Sequence, residues 1–208
     1  MDDYRKYFRQ FIKEKYPKDF DNIIADTDRH YNIISADTAF AKTSKNPIDR
    51  RLDFSSYFLA LIKALDERSE TFENIRHICL QITTEYVQPK NKIQGIFKRL
   101  LPKMTNTRVG RILIKAFHKR VSVNANPDGF IANIITDKKE TFGLGYGIDI
   151  IECGICKLFR KHNYSKYATI LCEVDKITSG LAGLQLIRTG TIANGAGKCD
   201  FRFKLQEK

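Results

Sequence analysis

The sequence predicts an α+β fold: an N-terminal helical part packed against a small, mostly antiparallel C-terminal sheet with two embedded helices. Three observations carry that prediction. Through the first 120 residues, apolar side chains recur at three- and four-residue spacing. Beyond residue 120, short segments alternate apolar and polar residues between glycine- and asparagine-rich turns. No internal repeat or low-complexity run interrupts either part. We therefore divide the chain into a helical part, 1–120, and an α+β part, 121–208, expected to form one compact unit.

Taken in order, Tyr4, Tyr7, Phe8, Phe11 and Ile12 mark a first helix that Pro17 interrupts. Asn22 to Ala39 makes a second, ended by the turn-like KTSKNP at 42–47. From Phe54 to Leu65, Tyr57, Phe58, Leu61, Ile62 and Leu65 share one face. Residues 71–87 repeat the pattern with Ile75, Ile78, Cys79 and Ile82, and Thr71 with Asn74 is a helix-start signal. Past Pro89, Val109, Ile112, Leu113, Ala116 and Phe117 form an apolar stripe bordered by Arg108, Arg111, Lys115 and Lys119. Pro102 is expected to split that stretch into two helices.

In the second part, 130–136 and 143–151 read as a strand pair joined by the loop DKKETF. The run Gly143-Leu-Gly145-Tyr-Gly147 lies inside the second of these, so it reads as a bulged or closely approached strand and not as a nucleotide-binding loop. Residues 153–163 and 164–177 read as short helices, the second ended by Ser179-Gly180. Residues 183–192 and 198–205 return as strands around the turn Asn194–Gly197, with Cys199, Phe201 and Phe203 alternating inward.

Composition narrows the function classes. Hydrophobic residues at 42% and charged ones at 29% exclude a disordered tail or a disulfide scaffold. No apolar run approaches the roughly 20 residues that span a bilayer. The N-terminal MDDYRKYFRQFIKEKY is charged throughout, so we expect a soluble, cytoplasmic protein with its five cysteines reduced. The formal charge is +12, and residues 86–120 hold ten basic groups and no acidic one. That segment suits an acidic partner or an anionic surface. A solvated helix face is the plainer expectation. Its basic face has no interleaved aromatics and no nucleic-acid motif is present, so nucleic acid is not an expected partner. A homo-oligomer stays open.

Cysteine is the residue type with chemical content. Cys153 and Cys156 form a CxxC, followed by Cys172 and Cys199. Three uses compete: a four-thiolate metal site at Cys153, Cys156, Cys172 and Cys199, small buried hydrophobes, or a catalytic thiol. A thiolate needs a helix start or a nearby cation; Cys153 meets the first condition, and Arg188 or Lys198 could supply the second. Cys79, on an apolar helix face, reads as core. His30, His77, His118 and His162 lack metal-ligand spacing, with His118 expected to be solvated. Arg188, in a half-buried strand, needs an anionic ligand or an acidic partner, for which Asp175 and Asp200 are candidates.

The C-terminal motifs carry a resemblance. Cys153 opens a short helix; Cys172-Glu-Val-Asp175 follows; and Arg188-Thr189-Gly-Thr191-Ile-Ala-Asn-Gly195-Ala-Gly-Lys-Cys199-Asp200-Phe201-Arg202 closes the chain. Over residues 120–208 this resembles the L-2-amino-thiazoline-4-carboxylic acid hydrolase family. The chain departs from the family pattern at Lys198, often His, at Asn194, commonly Glu, and in the additional Cys156. The resemblance implies a hydrolase that opens a carboxylated cyclic amidine to a carbamoyl-cysteine, without a cofactor. It implies a nucleophilic or positioning role for Cys172 or Cys199, and an acid/base or orienting role for Asp175. Arg188 would clamp the substrate carboxylate and Thr191 would donate a hydrogen bond, with Cys153 and Asp200 also at the substrate. The two motif departures leave a ligand sensor without turnover as the alternative.

Overall fold

The computed structural model describes residues 4–105, 107–122 and 126–206, without the side chains of residues 101 and 103. Lys103, counted above in the basic segment, therefore has its side chain outside the described residues. The α+β class is as expected. Helices α1 (Arg5–Lys15), α2 (Phe20–Asp37), α3 (Arg51–Asp66), α4 (Phe72–Val87), α5 (Lys92–Met104) and α6 (Arg108–Val121) precede the sheet. Strands β1 (Ile131–Ile135) and β2 (Gly147–Glu152) then lead through α7 (Gly154–Lys161) and α8 (Ala168–Leu181) to β3 (Leu184–Ile187) and β4 (Cys199–Leu205).

Helix α3 is the centre of the helical part. The expected single apolar face is too narrow a description: Leu52, Leu59, Ala60 and Ala64 are buried along with Phe58 and Leu61. A helix apolar all round must be enclosed, and α2, α4 and α7 close around it. Its small polar residues are satisfied within the helix: Ser55 and Ser56 hydroxyls donate to the carbonyls of Arg51 and Leu52. Thr71 caps α4 by accepting from Asn74 N–H, as the sequence indicates.

The sheet runs β1-β2-β4-β3, every neighbouring pair antiparallel. Opposed residues Ile150 and Cys199, and Ile148 and Phe201, point to the helices. Asp149 and Asp200 also stand opposite one another, on the other face. Like charges in that position repel. The chain answers each separately: Lys198 and Arg202 reach Asp149 at 2.6 and 2.8 Å, while Asp200 accepts from the 189–190 backbone.

Several boundaries differ from expectation. Pro102 does not divide the basic segment; it sits inside the last turn of α5. Helix α5 ends at Met104 and α6 begins at Arg108, where Thr107 is the cap, accepting from Gly110 N–H. Gly110 is required there, because a Cβ would come within 2.1 Å of the Met104 carbonyl oxygen. The stripe Val109, Ile112 and Leu113 faces solvent, and α6 docks instead through Gly110, Ile114 and Val121. His118 is not solvated but accepts from Ile134 N–H through Nδ1, covering the free edge of β1. Gly143 and Gly145 take positive φ in the β1–β2 connection, so only Gly147 of that run is strand. Strand β3 ends at Ile187, before Arg188, and α8 runs two residues past Ser179.

Candidate active site

Five of the residues expected at the site, Cys153, Cys172, Asp175, Arg188 and Cys199, line one cleft between the sheet and helices α7 and α8. Cys172 and Asp175 are three residues apart on α8 and so share a face. Arg188 follows β3, and its guanidinium lies 5.1 Å from the centre of the Phe201 ring. One of its nitrogens donates to the Cys172 carbonyl at 2.9 Å and another approaches Asp175 Oδ2 at 3.4 Å. The Arg188 side chain is only 7% exposed, so this buried cation has the acidic partner its position demanded, and the partner is Asp175. Asp200 is not that partner.

The other Asp175 oxygen accepts from Arg51 at 2.7 Å. Arg51 opens α3, 124 residues away in sequence. Sequence reasoning missed it, and only one signal was available: a cation at a helix N-terminus opposes the helix dipole and so wants another reason to be there. Two guanidiniums sharing one carboxylate leave a net positive charge over the cleft, which favours an anion.

All four C-terminal-half cysteines line this cleft, with Phe130, Ile150 and Phe201 as its apolar wall. Cys153 is the N-cap residue of α7, and Cys156 lies in the first turn. The Cys156 thiol beside it holds the Cys153 thiol below the usual cysteine range, against the burial that would raise it. The first-turn N–H groups of Cys156 and Ile155 and the Arg51 guanidinium act in the same direction. Cys156 is pushed up by that same contact and by burial. Cys153, at the N-cap of α7 with Arg51 on the same cleft, is the thiol of the pair whose setting favours the charged form. Burial and the Asp175 carboxylate push Cys172 up to about 11, partly offset by Arg188. Burial also raises Cys199, whose sulfur accepts from Ile192 N–H at 3.2 Å.

The remaining expected residues lie off the cleft wall. Asp200 accepts from Thr189 N–H, Thr189 Oγ1 and Gly190 N–H, fixing the turn after Arg188. Thr191 is buried and its hydroxyl accepts from Asn194 N–H. Lys198, a candidate cation for the thiols, is engaged by Asp149 on the opposite face of the sheet. Cys79 is core, its thiol pushed up by burial alone. Although four thiols share the cleft, among the described residues no three Cys, His, Asp or Glu groups converge in a way that could hold a metal ion.

The cleft is narrow. About 30 Å3 of it admits the centre of a water molecule, which is room for a water or two. Arg51, 43% exposed at its side chain, borders it.

Fold and site together define an α+β protein with a thiol-lined, cationic cleft between its sheet and its helices. The family model described as L-2-amino-thiazoline-4-carboxylic acid hydrolase matches residues 50–203, and the chain belongs to that family. The match extends well upstream of the motifs and takes in Arg51. Comparison with curated proteins and with solved structures returns no match.

Proposed function

We propose that this protein is a hydrolase that opens the ring of a small carboxylated cyclic amidine, with Cys153 as nucleophile. The observation that supports this reading most is the place of Cys153 at the N-cap of α7, in one cleft with two arginines that share Asp175. It moves the nucleophile from Cys172 or Cys199, whose thiols hold their protons more tightly, to the cysteine best placed to lose one.

For a thiazoline, attack of the Cys153 thiolate on the C=N carbon places a proton on the ring nitrogen. The carbon–sulfur bond of the ring then breaks, leaving an isothiouronium on Cys153, and the departing sulfur takes a second proton from solvent. Cys156 carries an S–H beside the nucleophile and is the donor we assign to the first transfer. Water then adds to the carbon attached to Cys153 and gives one proton back to Cys156 and the other to solvent, and loss of Cys153 as thiolate leaves the carbamoyl product with one water gained overall. Arg188, supported from behind by Phe201 and the Cys172 carbonyl, binds the substrate carboxylate with Arg51. Asp175 orients both guanidiniums. Cys172, Cys199 and Thr191 act as wall and framework. Because the cleft holds only a water or two, Arg51 must swing outward to admit a five-membered ring.

The departures at 194 and 198 that favoured a sensor without turnover involve residues away from the cleft: Asn194 is exposed and Lys198 is held by Asp149. Turnover of the thiazoline carboxylate by single Cys→Ser variants tests the proposal. Cys153→Ser should reduce kcat by roughly 10³-fold or more, while Cys172→Ser and Cys199→Ser retain activity within about tenfold. Alkylation should find Cys153 first, with a pH midpoint below the usual thiol value of about 8.5. Full activity of Cys153→Ser would remove the covalent route.

A further inference from the structure

Helices α5 and α6 expose apolar surface that the rest of the fold does not use. Among the described residues, eight of the twelve exposed large hydrophobic side chains fall between Ile93 and Leu113. On α5, Ile93, Ile96, Phe97 and Leu100 repeat at three- and four-residue spacing, and Ile93 is 77% exposed. On α6, Val109, Ile112 and Leu113 continue the pattern, with Ile112 69% exposed. This is not a core face left half open. Helix α6 already docks on the body through Gly110, Ile114 and Val121, so its second apolar stripe is surplus to folding.

The same stretch carries the protein's excess charge. Residues 86–120 contain ten basic groups and no acidic one. Arg108, Arg111, Lys115 and Lys119 of α6 are exposed, and among the described residues none forms an ion pair. Scattered exposed hydrophobic residues need no explanation, but eight of them gathered in one stretch that carries a single sign of charge do.

We propose that α5 and α6 dock this protein on an anionic lipid bilayer, lying in the plane of the interface. Apolar side chains enter the acyl boundary while lysine and arginine stems extend along it and place their charges among acidic headgroups. Charge complementarity selects this occupant. A second copy of the chain would bring two cationic rims together with no acid in the segment to answer them. A nucleic acid would match the charge and leave the apolar stripe in water.

The full chain contains no tryptophan, which makes a clean reporter available. In Leu113→Trp, emission should shift to the blue on adding phosphatidylcholine vesicles containing phosphatidylserine, and not on adding phosphatidylcholine alone. In co-sedimentation, wild-type protein should favour the anionic vesicles by roughly tenfold at about 0.1 M salt. The triple variant Phe97→Glu, Ile112→Glu, Leu113→Glu should lose that binding. The variant Arg111→Gln, Lys115→Gln, Lys119→Gln should bind both vesicle types alike and weakly. No blue shift, or equal binding of wild-type protein to neutral and anionic vesicles, overturns the proposal. So does a vesicle-free dimer, seen by sedimentation velocity, that the glutamate triple variant dissolves. Circular dichroism melting reports whether each variant is folded, and the tryptophan chain keeps the stripe apolar if the triple variant is not.

Discussion

Helices α3 and α6 are nearly the same length, 16 and 14 residues, and both are rich in large apolar side chains, yet the fold treats them oppositely. Helix α3 is enclosed on every side, and its two cations stand at its ends, Arg51 and Lys63. Helix α6 carries basic residues along its length and gives the body one narrow face. Burying the rest would strip water from those cations without an acid to receive them. Periodicity tells which residues can lie together on a helix; charge around them decides whether that face is taken inside. One helix builds the core and contributes one of the two arginines of the cleft, and the other builds a surface.

That contrast can be broken by substitution. The largest effect belongs to α3: Phe58→Ala, at a fully buried ring, should cost about 3–5 kcal/mol in denaturant titration. A loss below about 1 kcal/mol there would mean that α3 is not the enclosed helix described. A smaller effect comes from the charged face of the sheet. Although burial works against it, Arg202 and Lys198 together hold Asp149 below the usual carboxylate range. A group depressed on folding stabilises the native state above its unfolded pKa of about 3.9, and that share is lost as the pH falls through the lower native value. Stability should therefore drop below about pH 4, and Asp149→Asn should flatten that part of the profile while lowering stability at neutral pH. Next, Thr107→Ala removes the cap of α6 and should cost about 1 kcal/mol. Smallest of all, Ile112→Ser should change stability by no more than about 0.5 kcal/mol, although it deletes a large apolar side chain. Equal costs at Phe58 and Ile112 would erase the distinction between the two helices.

Much of this was legible in the sequence, for reasons that differ by element. The helices from Tyr4 to Val87 and the strands around Ile134 and Phe201 follow local periodicity, which needs no knowledge of partners. Asp175 as the companion of Arg188 was one of two candidates, and the closing motif placed both near the thiols. Arg51 was not legible, because its role arises from a contact across 124 residues that no local pattern marks. The outward stripe of α6 misled for a related reason: Val109, Ile112 and Leu113 form a convincing apolar face, while the smaller Gly110–Ile114–Val121 face does the docking. Pro102 misled because α5 carries it inside its last turn and stops two residues later, at Met104, while Thr107 caps the next helix.

The span from Arg51 to Asp175 has a consequence for the life of the chain. Strands β1 and β2 and helix α7 are neighbours along the chain, so the cap of α7 and the strand pair beneath it can form from a local stretch. The Arg51 border of the cleft cannot, because its partner lies 124 residues away. The surroundings of Cys153 are therefore completed only when the most distant parts of the protein have closed on one another.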